Sequence, residues 1–324
     1  MTHTTFSSET LTPTSAQQSF WLLVEQGRFT AKDGVELAYC VASHPNNKQA
    51  IVISNGRVES YLKYQEIIFD LFHQGYDVYA IDHRGQGLSQ RMTTNPQQGF
   101  VYDFNEYVDD LELFIDEQVR PKQYQHLHCL AHSMGSAIAT LLMAKQPKWF
   151  SSAVFSAPMF GIQLPVHKNI IIWLANILNT CRRQDELYKA NYIIAGTDYQ
   201  PDSFAKNKLT HSQARYHVYR DLYEANPQIQ LGAPTNQWLL EAIKAADECV
   251  LLSAGITTPR LILQAEAEKI VCNKSQDACL NVNCSKVIIK DAFHEVLIET
   301  DARRNHALNE TLAFMKRHSK TVAI

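Results

Sequence analysis

No CxxC pair occurs in this chain, and the spacing of Cys272, Cys279 and Cys284 does not match a zinc pattern. Its seven cysteines are scattered and odd in number, which reads as free thiols in a reducing compartment. Cys129 lies inside an apolar run and is expected to pack as a small core hydrophobe. Also missing is any apolar stretch near the roughly 18 to 20 residues needed to cross a bilayer. The opening MTHTTFSSETLTPTSAQQ lacks the basic-then-apolar pattern of a secretory signal, so the glycosylation triplets at Asn273, Asn283 and Asn309 carry no meaning. There is no excess of basic charge: 30 Lys and Arg stand against 33 Asp and Glu, for a net charge of -3. That balance argues against a nucleic-acid partner. The loop Asp82-His83-Arg84-Gly85-Gln86-Gly87 lacks both the G-x-G-x-x-G spacing and a Walker lysine. It is expected to be a structural turn, with Asp82 and Arg84 in local hydrogen bonds.

What is present is a chain of 324 residues, 45% hydrophobic, long enough to bury a large core. The segment GRFTAKDGVELAYCVA reads as a hairpin turning at Asp33-Gly34. Short apolar runs then recur at 50–54, 77–82, 127–131, 153–158, 260–265 and 286–290, separated by amphipathic helical patterns. This alternation implies βαβ units and an α/β fold with a mostly parallel central sheet flanked by helices. The alternation breaks between 159 and 235, where helices and loops are expected as an inserted cap. The core is thus assigned to 21–158 and 236–324, and residues 1–20 to a loose polar N-terminus.

The stretch LHCLAHSMGSAIATLL passes from a strand to a helix through Ala131-x-Ser133-x-Gly135. Small residues two positions either side of a serine are what a nucleophile elbow needs, because the strained turn leaves no room for larger ones. The usual first glycine is here Ala131. A serine hydroxyl needs a base, and the expected chain order is serine, acid, histidine. His294 follows the last strand run; Glu266 and Glu268 follow the one before it. All therefore leave the same sheet edge as Ser133. In this scheme the imidazole takes the hydroxyl proton and a carboxylate fixes its tautomer. The Met134 N–H, at a helix N-terminus, and the Arg57 N–H, beside Gly56, are the expected oxyanion donors. The Arg57 side chain is read as solvated.

The segments AHSMG, IDHRGQGLSQR and NGRVE resemble the monoglyceride-lipase-like branch of the α/β-hydrolase superfamily. More narrowly, LTHSQARYHVYRDLYEANPQIQLGAPTNQW, LILQAEAEKIV and DAFHEVLIE are similar to the bacterial lysophospholipases of the "L two" type. The resemblance runs over nearly the whole chain after about residue 20. It implies hydrolysis of an acyl ester of a lysophospholipid or monoacylglycerol, no metal or organic cofactor, and residence on the cytoplasmic face of a bacterial inner membrane. It also implies that Glu268 is the triad acid, where many relatives carry Asp. Asn55-Gly56 stands where many carry His-Gly. The elbow is silent about the acyl acceptor, so an esterase for small esters and an acyltransferase share the same signature, and a catalytically idle lipid-binding module is the rival of another class.

Two further features were weighed. His126, His128 and His132 lie close together, but no acid or cysteine nearby completes a ligand set, so no metal is expected. NIIIWLANIL at 169–178, followed by Arg182-Arg183, reads both as a cap helix packed on the core and as an element facing a lipid surface.

Overall fold

The computed structural model describes residues 5–319. Ten strands and nine α-helices are found among them. The strands are β1 (Glu25–Thr30), β2 (Glu36–Ala42), β3 (Gln49–Ser54), β4 (Asp77–Ile81), β5 (His126–His132), β6 (Ser152–Ser156), β7 (Cys181–Gln184), β8 (Leu187–Ala190), β9 (Arg260–Ala265) and β10 (Cys284–Ile289). The helices are α1 (Ser15–Trp21), α2 (Gln65–His73), α3 (Asn105–Phe114), α4 (Met134–Lys145), α5 (Lys168–Leu178), α6 (Gln213–Ala225), α7 (Asn236–Leu252), α8 (Asn273–Asp277) and α9 (Asp301–Arg317).

Eight strands form one sheet in the order β1-β2-β4-β3-β5-β6-β9-β10. From β4 to β10 all neighbours are parallel; β2 joins β4 antiparallel and carries the β1 hairpin at the edge. Parallel strands need helical crossovers, so both sheet faces are covered, and β4, β6 and β9 are buried along their whole length. One core, around Val52, Tyr79, Phe114 and Leu142, lies on the face covered by α3, α4 and α7. The other, around Ile51, Ile68, Leu130 and Leu308, lies under α2 and α9. This is the α/β architecture that the alternating runs imply.

Two segments differ from expectation. The interval 159–235 holds α5 and α6 as anticipated, but between them β7 and β8 form a two-stranded hairpin. Its anchor is backbone pairing of Tyr188 with Met92 and Thr94 of the core. The N-terminal stretch, read as loose, is tied down from residue 7 onward, and residues 1–4 lie outside the described residues. Ser7 bonds Asp70, and the Ser8 hydroxyl and Glu9 N–H both donate to Asp301. Helix α1 opens on a capping box, Thr14 with Gln17, a signal the sequence carries openly as TSAQ. Arg215 of α6 completes the anchor: buried, it donates to Glu66, Asp301 and the Glu299 carbonyl.

At Gly135 the start of α4 closes tightly on the end of β3. A Cβ at Gly135 would lie 2.1 Å from the Ser54 carbonyl oxygen and 2.6 Å from that of Asn55. These are backbone atoms that cannot swing aside. Gly135→Ala is therefore expected to cost at least ~2 kcal/mol in denaturant unfolding. Gly255→Ala, where nothing lies within 4 Å, should stay within about 0.5 kcal/mol. Equal stability of the two variants would refute the close-approach argument.

Candidate active site

Ser133 occupies the single-residue junction between β5 and α4. Its φ of 48° and ψ of -116° place an L-residue in strained backbone. The strain is over-determined: Ser133 N–H donates to the Ser156 carbonyl at 3.0 Å, and its own carbonyl accepts from Met159 at 3.1 Å. The turn raises the hydroxyl above the C-terminal rim of the sheet, where the loops after β3, β9 and β10 also emerge.

From the loop after β10, His294 reaches the serine, its Nε2 lying 3.0 Å from Ser133 Oγ. On the other side of the ring, Nδ1 is 2.8 Å from Glu268 Oε2. A carboxylate only accepts, so it holds the ring proton on Nδ1 and leaves Nε2 free to accept from the hydroxyl. The Glu268 side chain is 1% exposed. Its second oxygen accepts the N–H groups of Lys269, Ile270 and Val271 at 2.9, 2.7 and 3.2 Å. Burial alone would raise this carboxyl's pKa, but the His294 hydrogen bond and charge, with the Ile270 and Val271 N–H groups, hold it below the usual glutamate range. Glu266 does something else: exposed, it accepts the Asp291 N–H at 2.9 Å and braces the loop that carries His294. The structure thus brings Ser133, His294 and Glu268 into one hydrogen-bonded line and leaves Glu266 out of it.

Met134 opens α4 directly after Ser133, where first-turn N–H groups have no partner within the helix. The Asn55-Gly56-Arg57 loop packs on the elbow so tightly that a Cβ on Gly56 would lie 3.3 Å from Ser133 Cβ. Asn55 is bonded to Asp82 and Gln86. Ala131 is fully enclosed in β5. The Arg57 side chain is not solvated as expected. It donates to the Gly232 carbonyl at 2.9 Å, lies 5.4 Å over the Trp238 ring, and burial pushes its guanidinium down to about 10.

Beside the serine is a buried charged cluster that sequence reasoning missed. Glu59 accepts from the Gly56 N–H and Tyr64 hydroxyl, both at 2.6 Å, from Lys63 at 3.0 Å and from His132 at 3.1 Å. Lys63 also bonds Glu295 at 2.5 Å. Burial opposes charge at each of these groups. Even so, the Lys63 and His132 charges hold Glu59 well below its ordinary range, and the two glutamates raise Lys63. His132, raised by Glu59, packs against His294 with ring centroids 4.8 Å apart and the ring planes tilted by 54°. The available signals were the i,i+4 spacing of Glu59 and Lys63 and the place of Glu295 next to His294. On β5, His128 lies between Ser152 and Ser319, and burial pushes it down to about 3. Among the described residues no group of three or more His, Cys, Asp or Glu is placed to hold a metal ion. The Asp82 loop is structural: four donors converge on its carboxylate, which burial still pushes up to about 6, and Arg84 pairs with Asp110 and Asp33.

A cavity of about 840 Å³ opens onto Ser133 and His294 between the rim and the 159–235 segment. Helix α5 forms its apolar wall with Ile171, Leu174, Ala175 and Leu178, at the i, i+3, i+4, i+7 spacing of one helical face. Glu59, Lys63, Arg220 and Glu295 line the same cavity.

Fold and site together define a serine hydrolase of the α/β-hydrolase class, a carboxylic ester hydrolase. The chain belongs to the family described as serine aminopeptidase, S33, whose sequence pattern matches residues 45–301. It is 36% identical to lysophospholipase L2 of Escherichia coli (strain K12) over 309 residues, covering 93% of this chain and 90% of that protein. It is 24% identical over 271 residues to the monoglyceride lipase of Mus musculus, covering 81% and 80% of the two chains. A solved structure of a soluble variant of monoglyceride lipase from Saccharomyces cerevisiae, in complex with a substrate analog, superposes with a TM-score of 0.68 at 18% identity, covering 92% of this chain and 95% of that one.

The two carboxylates after β9 separate cleanly in a kinetic test. Glu268→Gln is expected to lower kcat by about 10²- to 10⁴-fold, since the amide no longer enforces the Nδ1–H tautomer. Glu266→Gln should change it by less than about threefold. The reverse ranking would remove Glu268 from the hydrogen-bonded line's function.

Proposed function

We propose that this chain is a lysophospholipase that also takes monoacylglycerols, with Ser133 as nucleophile, His294 as general base and acid, and Glu268 as the group that orients the imidazole. The observation that carries the substrate reading is the cavity at Ser133, lined by apolar side chains of α5 and by the charged Glu59, Lys63, Arg220 and Glu295. A molecule with one long acyl chain and a polar alcohol matches both kinds of lining at once. The 36% identity to a lysophospholipase over most of both chains supports the same substrate.

Ser133 Oγ attacks the acyl carbonyl carbon while His294 Nε2 takes its proton. The tetrahedral oxyanion is met by the N–H groups of Met134 and Arg57. Collapse expels the glycerophospho-alcohol, or glycerol, which leaves with the proton from His294. Water, deprotonated by the same imidazole, then cleaves the acyl-enzyme to fatty acid and free serine.

Purified protein is to be compared on lysophosphatidylcholine, lysophosphatidylethanolamine, monoolein and a short p-nitrophenyl ester. The lipid substrates should be fastest, and Ser133→Ala should lower every rate by at least ~10³-fold without loss of the folded transition. Faster turnover of the short ester would mark a small-ester esterase. Acyl groups recovered on an added alcohol rather than as free acid would mark an acyltransferase.

Approach to lipid is assigned to the outer side of the same cap helix. Ile170, Trp173 and Ile177 of α5 point away from the cavity and are 50%, 62% and 61% exposed, and Arg182 and Arg183 on β7 are exposed nearby. No described helix is long and apolar enough to cross a membrane. The proposed mode is therefore a peripheral one, with apolar side chains dipping among acyl chains and arginines at the anionic head groups. Trp173→Ser with Ile177→Ser should weaken co-sedimentation with phosphatidylethanolamine–phosphatidylglycerol vesicles by about tenfold or more. Unchanged sedimentation would rule out this face.

A further inference from the structure

We propose that Arg220 binds the phosphodiester of the substrate head group and so sets preference for lysophospholipid over monoacylglycerol; this rests on the lysophospholipase reading above. Three lysine or arginine side chains line the cavity: Arg57, Lys63 and Arg220. Two are already engaged. Lys63 is neutralised between Glu59 and Glu295. Arg57 donates to the Gly232 carbonyl and lies over Trp238.

Arg220 differs. Its surroundings are phenols rather than carboxylates: the guanidinium carbon is 5.0 Å from the ring centroid of Tyr216, 5.3 Å from that of Tyr219 and 5.8 Å from that of Tyr199. Nη1 donates to the Tyr199 hydroxyl at 3.2 Å, and the buried Nε has no hydrogen-bond partner. Aromatic faces hold the planar group in place without cancelling its charge. A guanidinium stays protonated, so the cavity keeps a preorganised, half-buried cation whose terminal N–H groups are largely uncommitted, the Tyr199 hydroxyl taking only one. Such a group favours an anion that accepts two N–H bonds at once, and a phosphodiester does so with its two free oxygens.

The geometry also gives the head group a direction. Arg220 lies on α6 and Ile171, Leu174 and Leu178 on α5, and all line the same cavity as Ser133 and His294. An ester carbonyl at Ser133 with its acyl chain along α5 leaves the glycerophospho side toward α6. Monoacylglycerol fills the same space but presents no anion.

The test compares Arg220→Met, Arg220→Lys and wild type on oleoyl lysophosphatidylethanolamine and on monoolein, which share the acyl chain. The ratio of kcat/KM for the phosphate-bearing substrate over monoolein is expected to fall ~10- to 100-fold in Arg220→Met, mostly through KM, and to recover in part in Arg220→Lys. sn-Glycero-3-phosphoethanolamine should compete with monoolein in the wild type and at least tenfold more weakly in Arg220→Met. An unchanged ratio, or equal losses on both substrates, overturns the assignment and leaves Arg220 as packing among tyrosines. Inorganic phosphate competing as well as the glycerophospho compound in the wild type also overturns it, marking a plain anion site. A wild type that cleaves monoolein but no lysophospholipid fails earlier, at the substrate reading, before any variant is compared.

Discussion

Everything at this site depends on how closely α4 approaches the end of β3. With no Cβ at Gly135, the helix start packs onto the carbonyls of Ser54 and Asn55, and Ser133 is forced to φ 48° between two parallel strands. That contact sets the height of the serine hydroxyl above the rim and the place of the Gly56–Arg57 backbone beside it. It also starts a helix at Met134, directly after the serine, so the positive end of the helix dipole lies at the hydroxyl. The strain is maintained by neighbours on both sides, since the Ser133 N–H is taken by Ser156 and its carbonyl by Met159.

A second constraint lies just beneath. Glu59, Lys63, Glu295 and His132 place several charges in a space that excludes water, and each alone would be costly there. The ion pairs among them offset that cost, although the buried Glu295 Oε2 has no hydrogen-bond partner, and removing one member would leave an uncompensated charge costing about 3–5 kcal/mol. The cluster holds the loop after β3 through the Gly56 N–H and meets the His294 loop through Glu295. It therefore couples the two loops that supply the proposed oxyanion donor and the proposed base. Glu268 is fixed by different means, three backbone N–H groups and an imidazole, which keep it ionised despite near-complete burial of its side chain.

The 159–235 segment supplies much of the cavity around these groups. Helix α5 is apolar on two faces, one turned to the cavity and one to solvent, which explains why it read equally well as core packing and as a lipid-facing element. Helix α6 is held to the core by Arg215 and presents Tyr219, Tyr223 and Arg220 to the same cavity. An amphiphile is the kind of molecule such a lining accommodates.

The amino-acid pattern alone carried the sheet: β-branched runs bounded by turn residues, alternating with 3.6-period segments, admit few arrangements other than a parallel sheet with covered faces. It carried Ser133 and His294 too, because an elbow needs small neighbours at set offsets and because chain order follows strand order. Between Glu266 and Glu268 residue spacing was mute, and the family resemblance alone pointed to Glu268. Two carboxylates two residues apart differ only in which way the loop turns, and that turn is decided by the N–H groups of Lys269, Ile270 and Val271. The β7–β8 hairpin, the tethered N-terminus and the buried state of Arg57 were likewise beyond reach. Each depends on partners far away in sequence, Met92, Asp301 and Gly232. The Glu59–Lys63–Glu295 cluster belongs with them: local pattern describes what a segment prefers, whereas a buried charge is tolerated only where a distant opposite charge folds against it.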